Sequence, residues 1–168
     1  SLFSSRIKGI MESFLIGAIL IGLSLTAFAA SSNHLMVAEI QVRATAVGMT
    51  ATGGYTIIMN NSDKDDRLIS VKTNFARKSE LHTMLHENGV MKMRRLEGDL
   101  VIPAGKTVIL KPGGVHLMFM GVETTLAPGD SYKVMLEFAS GAMVHVDATV
   151  KRPAEIKIDS HASMGNGH

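Results

Sequence analysis

The chain has 168 residues, of which 46% are hydrophobic and 19% are charged, and its formal net charge is +2. This composition is typical of a folded globular protein and excludes a chain that is disordered throughout. The near-neutral charge argues against nucleic acid as a partner, because binding to phosphates depends on clustered Lys and Arg. The basic run at residues 92–95 is the candidate patch, and a solvated strand end explains it more simply.

The first 29 residues have the pattern of an export signal. Arg6 and Lys8 precede an apolar run at residues 14–25, and a small-x-small motif follows at residues 27–29. The apolar run is short for a membrane span, which needs about 20 residues. The pattern therefore predicts a cleaved signal peptide over residues 1–29, with an uncleaved membrane anchor as the alternative.

Cysteine is absent from the chain, whereas methionine occurs 12 times. Without disulfides, an exported protein depends on its hydrophobic core for stability. Thioethers can bind a soft metal ion and, unlike thiols, they do not form disulfides. The methionine content is therefore a first indication of a metal site.

From residue 30 onward, short apolar runs alternate with clusters of Gly, Asn, Asp and Ser, which is typical of β-strands and turns. Strands are predicted at residues 55–59 and 68–73, and further apolar runs follow at intervals of about ten residues. Turns with Pro and a left-handed Gly are predicted at residues 102–106 and 126–130. The spacing predicts one all-β domain over residues 30–158, a Greek-key sandwich or barrel with little helix.

The last ten residues, 159–168, lack apolar periodicity and are predicted to form a flexible tail. The tail contains His161, Met164 and His168. A metal-binding tail is therefore the alternative to a plain flexible terminus.

In the upstream segment ELHTMLHENGVMKMRR, imidazoles and thioethers recur. The pattern predicts a β-hairpin with His86 in the connecting turn. Each arm carries possible metal donors on one face: His82 and Met84 on the first, Met91 and Met93 on the second.

The later run VHLMFM predicts a strand with two different faces. Residues two apart in a strand lie about 6.5 to 7 Å apart on the same face, so His116 and Met118 can bind one ion. Met120 is about 13 Å from His116 and is too distant for that ion. Leu117 and Phe119 occupy the opposite face and are predicted to lie in the core.

The donor types select the metal. Methionine sulfur is soft and neutral, so a set of His and Met side chains favours Cu(I) over Zn²⁺, Ca²⁺ or Mg²⁺. A blue-copper electron-transfer centre is excluded because it needs a cysteine thiolate. The other methionines of the strand region, Met49, Met59, Met135 and Met143, are expected to fill the core.

These residues resemble the periplasmic copper chaperone family PCu(A)C, whose members are cupredoxin-like carriers of Cu(I). The family signature is a His, a Met about eleven positions later, and a His-x-Met pair some twenty-odd residues further on. In this chain the matching residues are His82, Met93, His116 and Met118. The runs RATAVGMT, GGYTIIMNNS, IPAGK and LKPGGVHLMFMG follow in the family's order, and the resemblance covers residues 37–150.

Three positions depart from the family pattern or leave it ambiguous. Gln41 replaces an expected aromatic residue, and Val115 replaces a common tyrosine before the strand histidine. Different packing around the site is therefore expected. Met91 competes with Met93 as the hairpin ligand, and Met93 is chosen because its spacing fits the signature.

The resemblance implies a cupredoxin-like fold and a location in the periplasm. The protein is also expected to be a monomer, to have no enzymatic activity, and not to be inserted in the membrane after signal cleavage. It implies delivery of Cu(I) to a copper centre of cytochrome c oxidase, directly or through a Sco-type chaperone. Some family members carry a His- and Met-rich extension for Cu(II), so the tail at residues 159–168 is a candidate Cu(II) site.

Two other classes of function are open to the sequence. A copper oxidase or oxygenase is disfavoured, because no three-histidine cluster or paired-carboxylate arrangement stands out. A secreted β-sandwich without metal, which binds a protein partner through a methionine-rich surface, is the alternative to the copper chaperone.

Overall fold

A computed structural model describes residues 30–32 and 34–158 of the chain. The predicted signal peptide and the predicted tail, with its possible Cu(II) site, lie outside the described residues. Within them, no helix is long and apolar enough to cross a membrane. The one helical element of the described part is a 3-10 turn at Pro153–Glu155.

Twelve strands form the described domain, and their bounds follow the alternation of apolar and polar residues. They are β1 Ala30–Ser32, β2 Leu35–Val37, β3 Ile40–Arg43, β4 Ala51–Asn60, β5 Asp66–Thr73, β6 Lys78–Glu87, β7 Val90–Arg95, β8 Leu100–Ile102, β9 Thr107–Leu110, β10 His116–Met120, β11 Ser131–Phe138 and β12 Met143–Lys151. The predicted all-β fold is confirmed.

The strands are hydrogen-bonded in the order β7-β6-β10-β4-β3-β12-β11-β5-β8. Strand β4 links this row to a smaller group, because its first half pairs with β10 and β3 and its second half pairs with β2 and β9. Strand β3 runs parallel to β12, and the other pairs are antiparallel. The result is a cupredoxin-like architecture in which one open sheet wraps around its core.

The core consists of the inward-facing half of each central strand. In β12, residues 144, 146, 148 and 150 are buried, whereas residues 143 and 145 face outward. Leu117 and Phe119 of β10 are fully buried, as the two-faced strand pattern predicts. Each such large apolar side chain stabilises the fold by about 1.5 to 3 kcal/mol relative to an exposed one.

The turn predictions agree with the backbone angles. Gly105 and Gly129 have φ of 68° and 94°, so both adopt the left-handed conformation expected for these turns. In the β6–β7 hairpin, Asn88 and Gly89 have φ of 50° and 77°, the pattern of a two-residue type I′ turn.

The predictions for three residues are wrong. His86 lies in β6 opposite Met91 rather than in the turn, because the tight Asn88–Gly89 connection lets the strand continue to Glu87. Met143 is exposed rather than buried, because it shares the outward parity of β12. Met49 is also exposed, and its sulfur accepts the N–H of Ala46 in a turn.

Candidate metal centre

Three neighbouring strands bring the predicted donors to one face of the sheet. Strand β6 lies between β7 and β10, and His82 is directly opposite His116 of β10. Met93 of β7 is directly opposite Met84 of β6. Directly opposed residues point to the same side of a sheet, and His82 and Met84 share a face because they are two residues apart on β6. The two histidines and Met93 therefore lie on the same side.

The side chains of Met93 and His116 meet although a whole strand separates their backbones. Met93 Sδ lies 3.3 Å from His116 Nε2, so the thioether reaches across β6. The rings of His82 and His116 are 6.3 Å apart between centroids. His116 is buried, with 6% of its surface exposed, whereas 43% of Met93 is exposed. The cluster thus has a buried end and an open end.

The LKPGG turn orients the His116 ring. His116 Nδ1 lies 2.8 Å from the Gly114 carbonyl oxygen, which can only accept a hydrogen bond. Nδ1 therefore carries the proton, and in the neutral ring Nε2 keeps its lone pair. The turn itself is closed by the Gly114 N–H, which donates to the Lys111 carbonyl at 3.1 Å.

The His82 ring has one bonded nitrogen and one free nitrogen. Nε2 lies 2.9 Å from Oε2 of Glu80, which precedes it by two residues on the same face of β6. Nδ1 is buried and has no hydrogen-bond partner among the described residues. A buried nitrogen without a partner is costly in the free protein, and a bound metal ion would supply the missing partner.

Glu80 is held in place by positive groups on both sides. Its Oε1 lies 2.7 Å from Lys78 Nζ and 3.8 Å from Arg95 Nε, and its side chain is only 10% exposed. Hydrogen bonds from Lys78 and then from His82 outweigh the effect of burial and lower the pKa of Glu80 to about 2. The carboxylate is therefore a fixed negative charge beside the His82 ring. Sequence reasoning missed this residue, although the ELH spacing puts it on the histidine's face.

Met118 lies two residues along β10 from His116, on the same face of the strand. It is directly opposite Glu80 of β6 on one side and Gly53 of β4 on the other, and it is half-buried. Met120 lies two residues further on, opposite Lys78. Along the strand, Met118 is therefore nearer than Met120 to the histidine pair.

Tyr55 forms a wall of the cluster that sequence reasoning also missed. Its ring lies 6.1 Å from the His116 ring, and its hydroxyl covers Gly53, where an added Cβ would lie 2.6 Å from the oxygen. Burial raises the pKa of Tyr55, and the nearby Arg43 partly opposes this shift. Any larger residue at position 53 would therefore collide with the Tyr55 hydroxyl unless the ring shifted.

Gln41, one of the departures from the family pattern, lies directly opposite Tyr55. Its amide nitrogen donates to the Lys157 carbonyl at 2.8 Å, and its amide oxygen accepts the Lys157 N–H at 3.0 Å. This position thus anchors the segment after β12 instead of adding an aromatic ring. Val115, the other departure, is half-buried against the core.

The donor set fits a soft ion. Among the described residues, no group of three or more His, Asp or Glu side chains could hold a metal. The cluster instead offers two imidazoles and neutral thioethers, which are the ligands that Cu(I) prefers. Of the two hairpin methionines, Met93 contacts His116, whereas Met91 faces His86 nearer the tip.

Comparison with known sequences gives a family match over most of the domain. The profile of the family described as "Putative lipoprotein LpqE-like" matches residues 35–150. The chain is also 31% identical over 120 residues to "Putative lipoprotein Lxx21020" of Leifsonia xyli subsp. xyli (strain CTCB07), and the match covers 71% of each chain.

Solved structures with a similar fold include copper-binding domains. The copper-bound PCuAC domain from PmoF2 has a TM-score of 0.63 and 24% identity, and the match covers 73% of this chain and 97% of that one. The solution structure of CuI-DR1885 from Deinococcus radiodurans has a TM-score of 0.57 and 30% identity, with coverage of 68% and 76%. The first match bears on the fold alone.

Proposed function

The chain belongs to the LpqE-like family, which is the family of the PCuAC domains, and on this basis we propose that it is an exported copper chaperone. Its cargo is Cu(I), and its ligands are His82, Met93, His116 and Met118. The structural relatives of the chain are copper-binding domains, which supports carriage of copper rather than catalysis.

The observation that carries the proposal is the contact between His116 Nε2 and Met93 Sδ at 3.3 Å. With the proton of the neutral ring on Nδ1, neither of these atoms has a hydrogen to donate, so the pair is not a hydrogen bond. A cation placed between the nitrogen and the sulfur would bind the lone pairs of both atoms. The buried, unpartnered Nδ1 of His82 supplies a third donor on the same face.

Release of the cargo follows from the unequal exposure of the donors. His116 is buried and fixed by the Gly114 carbonyl, so it is the inner ligand. Met93 belongs to β7, an exposed strand at the edge of the described sheet, and its thioether is the accessible ligand. A partner's soft donor replaces Met93 first, and copper then moves by stepwise ligand exchange.

The partner and the compartment are taken from the family resemblance. We propose delivery to a copper centre of cytochrome c oxidase, either directly or through a Sco-type chaperone, in the periplasm. Residues 1–29 would direct export, the carrier would act as a monomer, and the tail at residues 159–168 would bind Cu(II). Neither nucleic acid nor the membrane takes part in this role.

A Cu(I) competition titration against a chromophoric chelator tests the proposal on the exported protein. Wild type is expected to bind one equivalent, and His116→Ala and Met118→Leu are expected to bind more weakly. Met143→Leu is the matched control, because Met143 is similarly exposed but lies outside the cluster. Equal binding by all four proteins would contradict the copper site.

A second candidate function is binding of a protein partner along β7. Strand β7 is exposed over its whole length, and Met91 and Met93 supply an adaptable apolar surface. The Met118→Leu variant separates the two candidates, because leucine keeps an apolar contact but cannot bind copper. Intact partner binding without any Cu(I) affinity would favour this second function.

A further inference from the structure

The two histidines of the cluster have hydrogen-bond acceptors on opposite ring positions. His116 faces the Gly114 carbonyl with Nδ1 at 2.8 Å, whereas His82 faces the Glu80 carboxylate with Nε2 at 2.9 Å. Carbonyl and carboxylate oxygens accept hydrogen bonds, so each of these nitrogens carries the ring proton. A metal binds only the nitrogen without a proton. The free lone pair is therefore on Nε2 in His116 and on Nδ1 in His82.

Glu80 is fixed well enough to determine the His82 tautomer. Its two oxygens are engaged separately, Oε2 by His82 and Oε1 by Lys78 at 2.7 Å, so the carboxylate cannot turn away from the ring without losing a contact. Arg95, directly opposite His82 on β7, adds a second positive charge at 3.8 Å from Oε1. The His82 Nδ1 that results is buried and lacks a partner among the described residues.

We propose that Glu80 is a positioning residue for copper binding, and that the two histidines bind Cu(I) through different nitrogens, Nδ1 of His82 and Nε2 of His116. This inference rests on the proposed function. A carboxylate that bonds the far nitrogen of a metal-binding histidine fixes the ring and makes the ligand nitrogen more basic. The carboxylate itself is a hard donor and is a poor ligand for Cu(I).

The competing arrangement is one in which Glu80 holds His82 only in the metal-free protein. In that case Cu(I) would expel the carboxylate and bind Nε2 of His82. The two arrangements predict different nitrogens at the same residue, so the ring nitrogens themselves must be observed.

Long-range ¹H–¹⁵N correlation spectra of the histidine rings provide this observation. In metal-free exported protein near neutral pH, the unprotonated, pyridine-type signal is expected on Nδ1 of His82 and on Nε2 of His116. After one equivalent of Cu(I), the same two nitrogens are expected to lose their pyridine-type shift. A change at Nε2 of His82 instead would overturn the proposal.

The Glu80→Gln variant tests the positioning role with a nearly isosteric side chain. The tautomer of His82 is expected to become mixed while that of His116 stays unchanged, and Cu(I) affinity is expected to fall about 10- to 100-fold. Glu87→Gln is the matched control, because Glu87 also lies on β6 and contacts Lys92 and Arg94 but not a histidine ring. An unchanged His82 tautomer in Glu80→Gln would refute the role of Glu80.

The metal-free spectra keep this proposal separate from the proposed function. If Cu(I) leaves all ring nitrogens unchanged, both the proposed copper site and this proposal are refuted. If Cu(I) binds and the metal-free His82 carries its proton on Nδ1, the copper site stands and the positioning role of Glu80 is refuted.

Discussion

Two faces of this domain carry similar donor types in a similar pattern, but only one has the features of a metal site. On the face formed by β6, β7 and β10, His82 is opposite His116 and Met93 reaches His116. On the face formed by β11 and β12, Met135 is directly opposite His145, with Met143 two residues along the strand. Composition and strand spacing do not distinguish these two clusters.

The difference lies in what surrounds the histidines. In the first cluster, the His116 ring is hydrogen-bonded to a backbone carbonyl and the His82 ring to a carboxylate. His116 is also buried. His145 is exposed, and within the described residues no hydrogen bond fixes its ring, while the adjacent pair Lys133–Asp147 forms an ion pair of its own. Outer partners and burial, rather than donor identity alone, therefore separate a candidate site from a solvated pair.

The largest expected effect is that of removing the inner histidine. His116→Ala should lower Cu(I) affinity by about 100-fold or more, because a ligand is lost together with the partner of Met93. His145→Ala should leave the affinity unchanged. Chelator competition on both variants measures the difference, and equal losses would show that the two faces bind copper alike.

Loss of the Glu80 charge should destabilise the metal-free fold in a pH-dependent way. Because the folded-state pKa of about 2 lies below the ordinary 4.5, the ionised carboxylate stabilises the fold above pH 4.5, and this contribution is lost as the pH falls towards 2. Glu80→Gln should cost about 2 kcal/mol at neutral pH, and the gap should narrow in acid.

Urea unfolding of metal-free wild type and Glu80→Gln between pH 6 and pH 3 measures that gap. The variant cannot titrate at this position, so only wild type loses the contribution on acidification. A gap that stays constant over this range would mean that the carboxylate is not held by Lys78 and His82 in solution.

Removing the exposed thioether should have a smaller effect than removing the inner histidine. Met93→Leu keeps the apolar contact but loses a soft donor, so Cu(I) affinity should fall about tenfold, which corresponds to about 1.4 kcal/mol. Met135→Leu is the counterpart on the other face and should change nothing. The same chelator assay applies, and a larger loss for Met135→Leu would reverse the assignment of the two faces.

The smallest expected effect concerns the ion pair beside His145. Both Lys133 and Asp147 have largely exposed side chains, so their interaction is screened by water and salt. Asp147→Asn should change the free energy of unfolding by less than about 1 kcal/mol, in contrast to Glu80→Gln. A denaturant midpoint shifted as far as that of Glu80→Gln would remove the energetic distinction between the two carboxylates.

The sequence by itself determined the local features of this protein. Alternating apolar residues specify the strands and bury Leu117 and Phe119, because side chains alternate between faces with a period of two. The Asn88–Gly89 pair specifies a two-residue hairpin turn. Because this turn is so short, His86 lies in β6 rather than in the predicted turn. The resemblance named His82, Met93, His116 and Met118, which remain predictions as copper ligands.

The tertiary structure alone decided which of these side chains meet. Strand β10 pairs with β6 and β4, although β7, β8 and β9 separate it from them along the chain. That non-local register brings Met93 rather than Met91 to His116 and sets Met118 opposite Glu80. A period of two tells which residues of a strand share a face, but not which strand lies beside it. The contact between His116 and Met93, and the position of Tyr55 and Gly53 beside the cluster, therefore follow only from the fold.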